Sequence, residues 1–356
     1  MPPYFLIKSI GWFRKILLDL NRHLFPGNVV LYEQFQSLWL LPSLYVVAKL
    51  DVAEQLKDGP LSPEDLARRI SADPVALARV MRALVSQGIF RKKRNGKYAL
   101  NGRSKALLNG EGSLRHMLTH HLGPTNWKNV GELLYTVQTG KEAFSRLYGK
   151  DIYSYLKENP EEYALFDRSM SNLSELGLAP IVSAYNFGKF GTIADIGGGE
   201  GFLLSAILNK YPAANGILFD LQEALGKAAS FLESQGTSSR IQVIPGSFNE
   251  PIRLSADLFI LKNIIHNWDD EKAASILTNI AGGMKQGAKI LIIDMIVPDS
   301  GGSATPALLD IQMLVSFQTG RERTLKEFEV VVSHAGLKIC KVVPTIAPIS
   351  LIEVCK

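Results

Sequence analysis

Ten residues from Thr192 to Gly201, TIADIGGGEG, constrain the fold more than any other stretch of this chain. An apolar run, Thr192–Ile196, enters a cluster of glycines, and a helical pattern starts at once over 202–211. Strand, glycine turn and helix in that order open an α/β domain in which backbone meets a ligand at the strand's carboxyl end. Gly197, Gly198, Gly199 and Gly201 carry no Cβ, so the chain there can turn sharply and approach a ligand closely.

The spacing of the glycines narrows the ligand. A dinucleotide fingerprint, G-x-G-x-x-G, started at Gly197 reaches Gly199 and then needs a third glycine where Phe202 stands. The motif present is D-x-G-x-G-x-G, beginning at Asp195. An anionic Asp195 repels a pyrophosphate and suits a cationic amino group, held directly or through water. Asp220 closes the next apolar run, GILFD, and an acid at a second strand end suits a ribose diol. Ribose, ammonium and no phosphate together describe S-adenosylmethionine (SAM). A dinucleotide and a bare structural turn are the alternatives.

At 356 residues the chain has room for two domains, or for one with a large addition. Hydrophobic content of 46% supports a true core, and a net charge of +5 permits an anionic partner without requiring one. Cys340 and Cys355 suggest neither a disulfide framework nor a zinc site, so a reducing cytoplasm is expected. No apolar run approaches the roughly eighteen residues of a spanning helix, and the N-terminus lacks the cleavage pattern of a signal peptide.

Residues 4–25 read as a basic amphipathic helix. Phe5, Leu6, Ile10, Phe13, Ile16, Leu17, Leu20 and Leu24 share one arc, opposite Lys8, Arg14, Lys15 and Arg22. Such a helix packs on a partner subunit or lies on a membrane surface. Within 30–56, Pro42 is expected to break or start a helix. Ser62-Pro63-Glu64-Asp65 and Asp73-Pro74 each carry helix-start chemistry, and the second helix ends at Gly88. FRKKRNGKYAL, 90–100, then reads as a hairpin with Asn95-Gly96 as a type I′ turn. Two helices and a hairpin make a winged helix. Its basic residues, Arg79, Arg82, Arg91, Lys92, Lys93 and Arg94, also allow a DNA-reading alternative, though the modest net charge points to a scaffold.

Residues 104–190 read as helical and are placed to roof a pocket. From 192 onward strands are expected at 192–196, 216–220, 241–244, 257–261, 289–294, 337–344 and 349–354. Helices are expected at 202–211, 222–235, 270–285 and 324–335, giving a doubly wound α/β domain. The expected division is 1–110, 111–190 and 191–356.

Residues able to do chemistry follow the strand ends. His266, in LKNIIHNWDD, sits on a strand-to-helix connection, and an imidazole titrating near neutrality can take a proton from a hydroxyl. A phenol, with a pKa of about 10, is mostly protonated at neutral pH and needs that help to accept a methyl group. Asp294, ending ILIID, and Glu322, in GRERT, are the acids able to orient the imidazole. His116, His120 and His121 approach metal-ligand spacing, but no HExxH forms, and no metal is assigned. G-x-S-x-G and Walker A motifs are absent from the sequence, which argues against hydrolase and phosphate-loop ATPase chemistry.

DIGGGEGF, LKNIIHNWDDE and GRERT followed by KEFE together resemble the SAM-dependent O-methyltransferases of the plant caffeate and bacterial polyketide type. The likeness runs from about residue 30 to the end. It implies an N-terminal, mostly helical winged-helix dimerisation domain and a homodimer. It implies a C-terminal Rossmann-like class I methyltransferase domain with a seven-stranded mixed sheet. His266 would be the general base, with Asp294 standing where plant members carry glutamate and Glu322 matching the second acid. Gly197, Gly199, Asp220, Leu221, Phe248 and Lys262 would meet the cofactor, with Asp195 and Ser174 near its charged end. Met170, Leu173 and Trp268 would face the acceptor, a hydroxylated aromatic molecule. Two departures stand out. Ser247 replaces the aspartate that often meets adenine, weakening that bond, and Leu173 replaces a common histidine, making the acceptor pocket more apolar. Other chemistry on the same cofactor, such as N-methylation or decarboxylation, is the alternative.

Overall fold

The computed structural model describes residues 13, 16, 17, 19–21, 23–110, 112–299 and 303–356. By internal contacts the chain divides into two units. The first runs to Gly131 and includes Tyr153–Leu176; the second comprises Glu132–Ile152 and Gly177–Lys356. The helix expected over 4–25 falls largely outside the described residues. Phe13, Ile16, Leu17, Leu20 and Leu24 of its apolar arc are described, and all are exposed.

In the first unit, helices Gly27–Phe35 and Ser37–Lys49 meet at Gln36, and Pro42 lies inside the second. The expected break at Pro42 does not occur. Tertiary packing, seen in the fully buried Val47 and Ala48 of the same helix, outweighs the one hydrogen bond a proline removes. Helices Pro63–Arg69 and Pro74–Ser86 start as their sequences dictate. The Ser62 hydroxyl accepts from Asp65 N at 3.1 Å, and Asp73 Oδ1 accepts from Ala76 N at 2.7 Å. Leu66, Leu77, Met81 and Leu84 bury one face against Val47, Val52, Phe90 and Tyr98.

The wing pairs β1 (Arg91–Lys92) with β2 (Tyr98–Ala99). Its turn differs from the type I′ expectation. Lys93 N bonds Lys97 O, Gly96 N bonds Lys93 O, and among residues 94–96 only Gly96, at φ 81°, is left-handed. The loop therefore has a third residue, and the glycine takes the left-handed place that follows an ordinary turn, sparing Asn95 a positive φ.

In the sequence between the wing and the first strand of the second unit the chain is mostly helical, the longest described helix being Pro160–Ala184. The second unit then alternates strand and helix: β3 (Thr192–Ile196), β4 (Asn215–Asp220), β5 (Ile241–Pro245), β6 (Leu258–Lys262), β7 (Lys289–Asp294), β10 (Lys338–Pro344) and β11 (Ser350–Cys355). A short parallel pair, β8 (Ile296–Val297) and β9 (Arg323–Thr324), stands apart. The main sheet runs β10-β11-β7-β6-β3-β4-β5, parallel except for the antiparallel β10 and β11. Seven mixed strands are thus present as expected.

The chain reverses its direction of travel across the sheet between β3 and β6, which are neighbours although two strands separate them in sequence. Ligands of open α/β sheets sit outside the carboxyl ends of strands at such a point. Helices Asp270–Gly283 and Leu325–His334 cover one face through Ile276, Leu277, Ile280, Phe328 and Val331. Phe202–Lys210 and Ala228–Ser234 cover the other through Leu204, Ile207, Leu208 and Leu232. The helix expected over 222–235 starts only at Ala228, because Leu221–Gly226 is taken up by turns that carry the chain away from β4. Helix Thr305–Ser316 was not anticipated.

Cys340 and Cys355 correct the sequence reading. They form a disulfide across β10 and β11, with Cα atoms 6.2 Å apart. The ladder slips between Ile339 and Lys341, and this bulge at Cys340 brings the two side chains together although the register pairs Cys355 with Lys338. Two cysteines in a long chain leave no compositional trace of such a bulge.

Candidate active site

The glycine turn has a stiff underside and an open mouth. Gly197, Gly199 and Gly201 adopt φ values of 72°, 58° and 90°, which side chains disfavour. A Cβ on Gly197 would come within 2.5 Å of Ile264 Cδ1, and one on Gly198 within 2.5 Å of Leu218 Cδ1. A Cβ on Gly199 would meet nothing within 4 Å. The turn is fastened to the next strand: Gly199 N donates to Asp220 Oδ2 at 2.8 Å, and Leu221 N to Asp220 Oδ1 at 2.7 Å. Leu221 itself is exposed at the rim.

Asp195 lies beneath this turn rather than at its mouth. Its side chain is buried, and a Cβ on Gly198 would approach its carboxyl carbon to 2.7 Å. Burial pushes its pKa up to about 7; Lys262 opposes that rise and Asp220 adds to it. Lys262, at the end of β6, is pulled below its ordinary value by burial, against the attraction of Asp195 and Asp294. One buried ammonium thus feels acids from two strand ends.

After β5, Ser247 Oγ accepts from Asn249 N at 3.2 Å, and Phe248 meets the Trp268 ring edge-on at 6.1 Å between centroids. Asn279 Nδ2 holds the Phe248 carbonyl at 3.0 Å.

His266 is placed by a reversal after β6. Asn263 adopts φ 55°, a left-handed conformation that asparagine tolerates better than most residues, and a short 3-10 turn, Ile265–Asn267, follows. His266 Nδ1 donates to Glu322 Oε1 at 2.8 Å. Asp294 Oδ1 stands 3.8 Å from the same nitrogen, outside hydrogen-bond range. Asp294 is fully buried, and among the described residues neither of its oxygens has a hydrogen-bond partner. Burial disfavours an imidazolium at His266, but Asp294 and the Glu322 bond outweigh it and hold the pKa above its ordinary value. Burial likewise pushes Asp294 up to about 7, against the pull of His266. With Nδ1 committed to Glu322, Nε2 is the nitrogen left to exchange a proton.

Glu322 is carried by the segment before β9. Its backbone N donates to Asp310 Oδ1 at 2.8 Å, on helix Thr305–Ser316. Arg323, beside it, is fully buried and was missed as a site residue; the charged run GRERT carries no mark of burial.

Met170, Leu173 and Ser174 lie on helix Pro160–Ala184, in the first unit. Leu173 is 37% exposed. His120, also in that unit, packs edge-on against His121 at 4.9 Å and Phe166 at 5.4 Å, and burial lowers its pKa to about 4. Among the described residues, no three His, Cys, Asp or Glu side chains gather as a metal site, and no helix is long and apolar enough to cross a membrane.

Comparison with known proteins agrees with this geometry. Residues 130–338 match the O-methyltransferase domain, and residues 32–110 match the O-methyltransferase dimerisation domain. The phenazine O-methyltransferase PhzM of Lysobacter antibioticus is 32% identical over 329 residues, covering 92% of this chain and 96% of that one. The 8-amino-8-demethylriboflavin N,N-dimethyltransferase of Streptomyces davaonensis is 30% identical over 319 residues, covering 88% of this chain and 91% of that one. A crystal structure of an O-methyltransferase from neocarzinostatin biosynthesis, in complex with SAM and 2-hydroxy-5-methyl naphthoic acid, superposes with a TM-score of 0.73. It has 29% identity over 89% of this chain and 95% of that one. This chain therefore belongs to the family of SAM-dependent O-methyltransferases that carry an O-methyltransferase dimerisation domain.

Proposed function

We propose that the protein methylates a hydroxyl of an aromatic, phenolic or polyketide-like small molecule, with His266 as general base. The observation that carries this reading is the 2.8 Å bond from His266 Nδ1 to Glu322, which leaves Nε2 as the proton acceptor. A general base is useful only where the acceptor holds a proton it must lose, as a phenol does. Glu322 orients the ring and offsets the imidazolium formed as Nε2 takes that proton; Asp294, when ionised, adds a second negative charge 3.8 Å away.

The turn fits the cofactor: Gly199 opens on free space, and Asp220 is fixed by two backbone donors with lone pairs left for ribose hydroxyls. When bound, SAM supplies an electrophilic methyl carbon on a sulfonium leaving group. Gly197, Gly199, Asp220, Leu221, Ser247 and Phe248 would hold it. Lys262 is proposed to lie beside the adenosine portion, Asp195 to act on the charged end from beneath the turn, and Ser174 to meet the carboxylate end. Met170, Leu173 and Trp268 are proposed to meet the acceptor. Exposed apolar side chains at Leu31, Tyr32, Phe35, Leu38 and Trp39 are proposed to pack on a second copy in a homodimer.

N-methylation is the second reading, favoured by the N,N-dimethyltransferase relative. Labelled SAM, offered with a panel of catechols, naphthols, polyketide phenols and aromatic amines, tests both. Methylated phenol from the wild type, with a loss of about a hundredfold or more in His266→Ala, supports the first. Full turnover of an amine by His266→Ala supports the second, because a neutral amine already presents its lone pair.

A further inference from the structure

The turn that carries His266 makes few bonds of its own and is held from outside, by residues 319–323. Thr319 Oγ1 donates to Asn267 O at 3.1 Å, and Arg321 N donates to His266 O at 2.8 Å. Arg323 takes the flanks: Nη1 donates to Ile265 O at 3.0 Å and Nη2 to Trp268 O at 2.7 Å. Four consecutive carbonyls, 265 to 268, are each bonded from this one segment. The same guanidinium grips Asp270 Oδ1 through Nε at 2.9 Å and Nη2 at 2.7 Å, at the start of the next helix. Arg323 is 0% exposed, unusual for an arginine, and its chain neighbour is Glu322, the hydrogen-bond partner of His266.

We infer that Arg323 is a positioning residue. Its planar guanidinium clamps both sides of the His266 turn and so fixes the imidazole against Glu322. The assignment rests on His266 being the base. Guanidinium geometry is what the task requires. One rigid fork reaches two carbonyls and a carboxylate at once, whereas a lysine ammonium in the same place is a point donor on a flexible stem. Arg321 has a different role: it pairs with Asp270 at 3.7 Å and with Glu327, both on the partly exposed side of the clamp.

Arg323→Lys keeps the charge and tests the fork. The expected result is a fall in kcat of about thirtyfold or more, with the Kd for SAM, measured by calorimetry, within about threefold of wild type. The rise of kcat/KM with pH should move to lower pH as the imidazole loses register with Glu322; Asp294 and Lys262 are the other charges facing it and are untouched. Asp270→Asn, which loosens one arm of the clamp at a partly exposed position, should shift kcat the same way by a smaller factor. The same Arg323→Lys change is then made in a His266→Ala background. A positioning role through His266 predicts less than about a threefold further loss there. An equal loss in both backgrounds, or a matching fall in SAM affinity, would overturn the inference and leave Arg323 as part of the general framework. Undiminished turnover in His266→Ala alone would instead remove the general-base reading, a separately readable outcome.

Discussion

Glu322 reaches the Nδ1 of His266 at 2.8 Å, whereas Asp294, fully buried and aimed at the same nitrogen, stops at 3.8 Å. An aspartate side chain is one methylene shorter than a glutamate, and Asp294 stays outside hydrogen-bond range. On the proposed mechanism the two acids are expected to contribute unequally. Glu322→Gln should lower kcat by roughly ten- to a hundredfold, since it trades a charge-assisted hydrogen bond for a neutral one. Asp294→Asn should cost less, about tenfold or under, because it removes charge without removing a bond. Steady-state kinetics on the two variants decides it; equal losses would mean that both acids bond the imidazole during turnover.

The pH profile follows from the same pair. On the proposed mechanism the working form of His266 is the neutral imidazole, and Asp294 with the Glu322 bond raises its pKa above the ordinary value of about 6.5. kcat/KM should therefore rise with pH through a midpoint above 6.5, and Glu322→Gln should bring that midpoint down. The linked stability has the opposite sense. It is fully present below the ordinary value and is lost as pH rises through the raised one. A midpoint that stays fixed in Glu322→Gln would show that the carboxylate does not tune the base.

Gly197→Ala should weaken cofactor binding while leaving the fold intact. The new Cβ must be borne at φ 72° and comes within 2.5 Å of Ile264 Cδ1, so the turn moves although the strands beneath it need not. Calorimetry with SAM should give at least a tenfold weaker Kd, at a cost in folding of about 1–3 kcal/mol. Gly199→Ala meets the same φ strain without a clash and should be milder. If the two variants bind SAM equally, contact with Ile264 does not set the turn.

The disulfide makes a chemical prediction. Cys340 and Cys355 are the two cysteines of the chain, so alkylation of protein denatured without reductant should add no label, and reduction first should add two. They close a span of 15 residues, for which chain-entropy arguments give stabilisation of up to about 3 kcal/mol. Cys340→Ser should lower Tm by roughly 5 °C while leaving kcat unchanged, since the bridge sits at the strand ends away from Asp294. Full alkylation without reductant would show the pair reduced in solution.

Much of this was legible in the sequence because the relevant forces are local. Strand-glycine-helix order, acids closing apolar runs, and Ser62 and Asp73 as caps are written within a few residues of where they act. The place of His266 just after β6 is legible because a strand end can be read from hydrophobicity. What was not legible is non-local. Arg323 looks like any surface arginine until residues more than fifty positions away supply its carbonyl partners. Asp195 reads as a ligand-facing acid, and only the packing of Gly198 and Leu218 reveals that it lies under the turn. The Cys340 bulge depends on the ladder with β11, which no window of sequence contains.

The bond from Gly199 N to Asp220 Oδ2 has a consequence for how cofactor preference can change. The carboxylate that would greet a sugar hydroxyl is also the peg on which the glycine turn hangs. If Asp220 meets the ribose as proposed, one side chain serves both recognition and scaffold, and a change at residue 220 would also reshape the cradle. Drift toward a different nucleoside would then begin more readily at Ser247, whose hydroxyl accepts from Asn249 N in its own loop, or at the exposed Leu221.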